Sequence, residues 1–348
     1  MHVDLGYYQS LPDSTECTQP EPEPASHGST VRVSVIIPLY NKGPWLRRAV
    51  VSVLQQSFTN FEVIVVDDGS TDQGTLELAG YDDQRLRTVT QANLGPGAAR
   101  NRGIAEARGE LLAFLDADDE WLPNYLRDSV HLLDEVGDDV AAISSGYFEY
   151  PSGISRERMW KARGLTEGKF RITPVTPPLE AVYRLAYMSP CTTVVRAETL
   201  RKYGGFYSQD RCTYGEDASL WLKVLLNEKV LFHLDPLAVF HTDASQLSKN
   251  LEEVRPLEPF LICPSEINSS APQDLRDLLS NIFAIRALKS ACVLGYWGNW
   301  REARSLKRRF SVPGYWKLPY YISAGILSTP IGSHLGQLCR RVMSLRSF

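Results

Sequence analysis

Cysteine is sparse and unpatterned in this sequence. Six residues (Cys17, Cys191, Cys212, Cys263, Cys292, Cys339) are scattered through 348. With no CxxC pair and no tight framework, they read as free thiols in a reducing compartment, not as a disulfide scaffold. The chain opens without a basic stretch and apolar run, so no secretory signal is expected. Strong net charge is absent too: 37 Lys+Arg against 41 Asp+Glu leave −4, which argues against a nucleic-acid partner bound by bulk charge. Long apolar runs are missing. The longest stretch without a formal charge, 318–339, carries two prolines, three glycines and three serines, and would make a poor membrane-spanning helix. There is no internal repeat and no coiled-coil heptad.

What is present is ordinary in bulk and uneven in detail. Hydrophobic content of 43% with 22% charged residues excludes wholesale disorder. The length suits about two domains at roughly 150 residues each. The near-neutral total hides a polarity. Residues 301–348 hold nine Lys/Arg and one acid, Glu302, for a charge of +8, whereas the first 300 residues hold 28 bases and 40 acids, for −12. An acidic body with a basic tail is the result.

Residues 10–30 are rich in Pro, Glu, Ser and Thr and nearly free of large apolar residues; a flexible arm over 1–30 is expected. From Val31 the pattern changes. VRVSVIIP (31–38) and FEVIVVDDG (61–69) read as strands buried on both faces. A helix follows from Pro44 to Ser57, a short third strand runs from Arg85 to Thr90, and a helix runs from Pro96 to Arg108. ELLAFLDADD (110–119) is a fourth strand and 121–136 a helix. This alternation implies right-handed crossovers and a mostly parallel central sheet flanked by helices. Residues 141–240 read as mixed, with short strands, a proline-rich loop at 173–178 and a helix around 218–227. After about 250 the pattern is mainly helical, clearest over 273–294.

Ligands of such sheets sit beyond the carboxyl ends of the strands, where this sequence puts Asp67, Asp68, Asp116, Asp118 and Asp119. A carboxylate cluster is costly without a cation or partner. The acids of Asp116-Ala117-Asp118-Asp119 suit a hard divalent ion that shares a diphosphate; alternatively one caps the next helix and the others are solvated. Asp67-Asp68-Gly69-Ser70-Thr71-Asp72 leaves a similar choice between a base- or ribose-binding acid and a capping turn. Gly95-Pro-Gly-Ala-Ala-Arg100 lacks the third glycine of a dinucleotide fingerprint and follows the wrong strand. It opens a helix that carries Arg100 to the sheet edge, to meet a phosphate or to pair with the acids. Glu216-Asp217 begins an apolar helix, either as N-terminal caps or with one as a general base.

Together these segments resemble the family 2 glycosyltransferases of GT-A fold. The resemblance rests on VSVIIPLYNKGPWLRRAVVSVLQQSF, FEVIVVDDGSTD, QANLGPGAARNRGIAEARGELLAFLDADDEW and CTTVVRAETLRKYGGFYSQDRCTYGEDASLWLKVL, in that order. It covers Val33 to Ser248. It implies an α/β, Rossmann-like domain over 31–248, with a helical basic extension over 249–348. It also implies an inverting, metal-assisted transferase that moves a sugar from a nucleotide-sugar donor, commonly UDP-linked, to a glycan or lipid-linked acceptor in cell-surface polysaccharide or glycoconjugate synthesis. Position by position, Pro38, Tyr40 and Asn41 would line the nucleotide. Asp68, with Asp67 beside it, would bind the base, and Arg100 and Asn101 would lie near the nucleotide. Asp118 would hold Mn2+ or Mg2+, Asp116 would face ribose or metal, and Asp217, with Glu216, would supply the base.

One departure stands out. Where many relatives show aromatic-Arg-x-His, this chain places His241 at the Arg position and Asp243 at the His position, so His241 is either a metal ligand or a packing residue. The resemblance stops near 250. In the tail, bases interleave with Trp297, Trp300, Trp316 and several tyrosines, which suits an anionic membrane surface; packing on the body or oligomerisation is the alternative. The expected location is cytoplasmic, with the inner membrane face as the place of any peripheral contact. A nucleotidyltransferase and a non-catalytic nucleotide-sugar binding module remain as other functions. The first lacks its basic glycine-rich phosphate loop here, and the intact acidic pairs speak against the second.

Overall fold

The computed structural model describes residues 31–244 and 254–344, with no side chain from 340 onward. The arm expected over 1–30, with Cys17, and the boundary expected at 248 lie outside the described residues. The five described cysteines are all free thiols.

Strand β1 (Val33–Leu39) leads through helix α1 (Gly43–Leu54) to β2 (Phe61–Asp67), then to β3 (Leu86–Thr90), α2 (Pro96–Glu106) and β4 (Leu111–Phe114). The pairs β1–β2, β2–β3 and β1–β4 are all parallel, as β/α alternation requires. A two-residue β5 (Glu120–Trp121) precedes α3 (Tyr125–Val136), and then come β6 (Val140–Tyr150), β7 (Ile154–Ser155), α4 (Glu157–Ala162), β8 (Gly168–Phe170) and α5 (Pro178–Tyr187). The series closes with β9 (Thr193–Arg196), α6 (Ala197–Tyr203), α7 (Glu216–Asn227) and β10 (Lys229–His241). The main sheet order is β3-β2-β1-β4-β9-β6-β10-β5. The expected parallel pairing holds over β1 to β4. Strand β9 then runs antiparallel to both β4 and β6, while β6 and β10 are again parallel.

The strand expected over 110–119 ends at Phe114, which leaves the acids free of the ladder. The helix expected from 121 starts at Tyr125. Before it, Trp121 is fixed by donating its indole N–H to the Cys191 carbonyl at 2.8 Å and by stacking on Tyr125 at 4.1 Å.

Alternate residues of β1 enter two cores. Val33, Val35 and Ile37 join Leu46, Val50 and Val53 of α1, whereas Ile36 joins Phe114, Trp221, Phe260, Phe283 and Leu288 on the other face. Helices after residue 258 therefore share a core with the sheet. The longest, Arg276–Tyr296, buries residues around most of its circumference, among them Leu278, Ile282, Phe283, Ile285 and Leu288. Extended back to Gln273, the run Gln273–Tyr296 is long and apolar enough to cross a membrane by length and composition, and 61% of its apolar 18-residue stretch is buried within the protein. That is the pattern of a core helix. The uncharged 318–339 stretch contains the helix Tyr321–Leu327 and most of the helix Pro330–Ser344. Pro330 starts the second of these, as its missing N–H favours.

Candidate active site

The carboxyl ends of β1, β2 and β4 open onto a cavity of about 680 Å³. Its wall includes Pro38, Tyr40, Asp68, Arg100, Asp116, Asp118, Glu216, Asp217 and His241, and so gathers nine of the twelve residues named from the sequence. The remaining three brace the rim. Asn41, at φ 51°, accepts from the Thr71 backbone N–H at 2.8 Å and ties the β1 and β2 loops together. The Asp67 carboxylate accepts from Ser70 N–H at 2.9 Å and closes the turn that Gly69 allows at φ +75°. Asn101 grips Phe206 through both backbone groups at 2.8 Å.

Asp68 is buried, and its carboxylate accepts from the Gln91 side chain and from the backbone N–H groups of Leu94 and Gly95 at 2.7–2.9 Å. A carboxylate has about four acceptor positions, so one remains for a ligand. These bonds fold the 91–95 loop back onto the sheet and start α2 at Pro96.

Arg100 then points from the first turns of α2 into the acids. Its two terminal nitrogens separate the partners: Nη1 donates to Glu216 Oε1 at 2.9 Å and Nη2 to Asp116 Oδ1 at 2.7 Å. The planar guanidinium makes such a fork where an ammonium cannot. Its plane also lies over Phe206, with the centroid 5.2 Å away. Arg100 is thus ion-paired on the cavity wall.

None of the three acids at 116–119 caps the following helix, whose N-cap position is Asn124. Each has its own neutralising arrangement. Asp116 meets Arg100. Asp118 Oδ2 accepts from Lys42 Nζ at 2.6 Å, and that ammonium also reaches the Ala244 carbonyl at 2.8 Å. Asp119 accepts from His241 N–H at 2.8 Å and from the Cys191 thiol at 3.4 Å. Burial, together with the charges of Asp116 and Asp118, pushes its carboxyl well above the usual range. The sequence does not single out Lys42 or Cys191 as site residues. Nothing local marks a lysine that reaches an acid 76 positions on, or a cysteine that lies beside two acids only after β9 joins β4.

Glu216 and Asp217 begin α7 after Gly215, which takes φ +75°. They are not both caps: Glu216 pairs with Arg100, and Asp217 Oδ1 accepts the N–H of Ala218 at 2.8 Å. Burial, then repulsion from Glu216, raises the Asp217 carboxyl to about 7, against a partial opposing pull from Arg100. A carboxylate tuned this way is suited to proton abstraction near neutrality.

Asp116, Asp119 and Cys191 bring ligand atoms within 4.8 Å of one another. The cysteine is a poor member of that set for a hard ion. Its thiol is pushed well above its ordinary range by burial and the two acids, and Mn2+ and Mg2+ prefer oxygen. His241 is the other residue of the expected ligand set. The residue is buried, and its ring nitrogens face two carboxylates without completing a hydrogen bond, Nε2 at 3.3 Å from Glu120 Oε1 and Nδ1 at 3.6 Å from Asp243 Oδ1. The oxygens of Asp116 and Asp118 on the same wall are of the type that a hard divalent cation takes.

Residues 34–202 match the family model described as glycosyl transferase family 2. An uncharacterized glycosyltransferase of Nostoc sp. is 43% identical over 106 residues, which is 30% of this chain and 33% of that protein. The chain spans about a third or less of the length of the first curated relatives it matches. Among solved structures, S. aureus TarS in complex with UDP superposes with a TM-score of 0.57 at 19% identity, covering 88% of this chain and 92% of that one. The mannosyltransferase PcManGT from Pyrobaculum calidifontis, in complex with GDP-Man and Mn2+, gives 0.50 at 18% identity, with 88% and 87% covered. At such identities the structural likeness is one of fold.

Proposed function

Because residues 34–202 form a family 2 glycosyltransferase domain, we propose that this chain transfers a hexosyl group, with inversion, from a nucleotide sugar to a hydroxyl of a glycan or lipid-linked acceptor. The observation that carries the reading is the convergence of Asp68, Arg100, Asp116, Asp118 and Asp217 on one cavity. The nucleotide bound by TarS and the nucleotide sugar bound by PcManGT support a donor of this class.

Pro38 and Tyr40 would flank the base, and Asp68 would use its remaining acceptor position on it. Asp118 and Asp116, with His241, would hold Mn2+ or Mg2+, which when bound would offset the charge of the leaving diphosphate. Holding the ion there would require Lys42 to release Asp118, with its ammonium kept on the Ala244 carbonyl. Asp217 takes the proton of the acceptor hydroxyl as the oxygen forms its bond to the anomeric carbon. The bond from that carbon to the phosphate oxygen breaks, and its electron pair leaves with the nucleoside diphosphate. Arg100 holds Glu216 in place beside the base through its Nη1 hydrogen bond.

Incubation with a panel of nucleotide sugars and Mn2+ tests the reading. Release of nucleoside diphosphate that requires Asp217 supports it. Release of pyrophosphate, or binding with no turnover in the presence of a broad acceptor panel, would overturn it.

A further inference from the structure

Helices of a water-soluble protein usually bury their large apolar residues. The last two described helices do the reverse. In Tyr321–Leu327 the buried residue is Ala324, whereas Ile322 is 75% and Ile326 56% exposed. In Pro330–Ser344 the buried positions include Gly332, Ser333 and Gly336, whereas Ile331 is 76% and Leu335 54% exposed. The inner contacts require small residues. A Cβ on Gly332 would lie 2.0 Å from the Ile326 carbonyl oxygen, and one on Gly295 2.3 Å from that of Leu327. Close backbone packing thus directs the bulky side chains outward. Seven of the fourteen exposed large apolar residues among those described fall within 316–338.

Charge narrows the choice of partner. No acid follows Glu302, and residues 303–348 contain eight Lys/Arg. Lys317 lies over the exposed Trp316 ring at 5.0 Å, and Lys307 lies over Tyr321 at 5.3 Å. A second copy of this chain would bring two surfaces of the same positive sign together. An anionic leaflet instead attracts the bases while its headgroup region takes up isoleucine, leucine and tryptophan.

We propose that Tyr321–Leu327 and Pro330–Ser344 form a docking surface for an anionic lipid bilayer, with Ile322, Ile326, Ile331 and Leu335 inserted at the headgroup boundary. The proposal is independent of the transferase reading. Co-sedimentation of the full chain with phosphatidylcholine vesicles, with and without phosphatidylglycerol, tests it. Binding should require phosphatidylglycerol and weaken in high salt. The double variant Ile322→Asp/Ile331→Asp should bind at least about tenfold more weakly, with unchanged melting temperature and unchanged donor consumption in solution. Absence of wild-type binding, or full retention by the double variant, overturns the proposal. So does light scattering that shows a dimer which the same substitutions dissociate.

Discussion

Replacing Arg100 with leucine removes the cation shared by two acids at the cavity wall. The Arg100 side chain is 5% exposed and that of Glu216 9%, and they meet at 2.9 Å, so this arm of the fork is shielded from water. The Asp116 arm is 35% exposed on the acid side and is worth less. Breaking a buried pair by removing one partner typically costs about 3–5 kcal/mol, because the remaining charge is uncompensated. Loss of the contact with Phe206 adds about 0.5–1 kcal/mol. For a folded unit of this size, a fall in melting temperature of about 6–10 °C follows. Thermal unfolding of wild type, Arg100→Leu, Glu216→Gln and the double variant forms a cycle in which the coupling should be at least ~1.5 kcal/mol. Arg100→Lys should recover only part of the loss, since one ammonium cannot span both acids. Arg100 also opposes the rise of the Asp217 carboxyl. Its loss should therefore move the pH dependence of turnover upward as well. A destabilisation below about 1 kcal/mol, or a coupling near zero, would refute the argument.

Turnover should rise with pH along a limb centred at about 7, the value to which Asp217 is raised; one pH unit below it, kcat/KM should be about tenfold under its plateau. Because Glu216 is the neighbouring charge that raises this carboxyl, Glu216→Gln should shift the limb toward acid, measured by the same pH profile. In a thermal-shift assay, UDP should stabilise the wild type in Mn2+ and lose that effect in chelator or in Asp118→Ala; at ~100 Kd of ligand the expected stabilisation is about 2.7 kcal/mol. A Cβ on Gly97 would sit 2.1 Å from the Tyr207 carbonyl oxygen. Gly97→Ala should therefore displace the 207–215 loop, cost about 1–3 kcal/mol in a denaturant melt, and lower turnover through the misplaced Glu216 and Asp217.

Much of the α/β plan was legible because it is written locally. Buried runs such as VSVIIPL and FEVIVVD differ from their surroundings in period and composition, and Pro44 and Pro96 mark helix starts through their missing N–H. Acids and glycines that follow a buried strand also announce a site edge. The uses of those acids were less legible. Asp72 illustrates this. It accepts from Gly43 N–H at 2.9 Å and from Gly74 N–H at 3.0 Å, so it serves two loops. Sequence alone offered only a generic cap.

By itself, then, the sequence determined the strands, the helices between them and the chemistry concentrated at the strand ends, because hydrophobic period and turn chemistry are properties of neighbouring residues. Tertiary structure decided which charge meets which. Arg100 contacts Glu216 across 116 positions, and Lys42 contacts Asp118 across 76. It also decided that β9 enters antiparallel, bringing Cys191 to the acids, and that the last two helices turn their small residues inward. Such outcomes depend on strand order and on how closely backbones approach, and no local pattern encodes either.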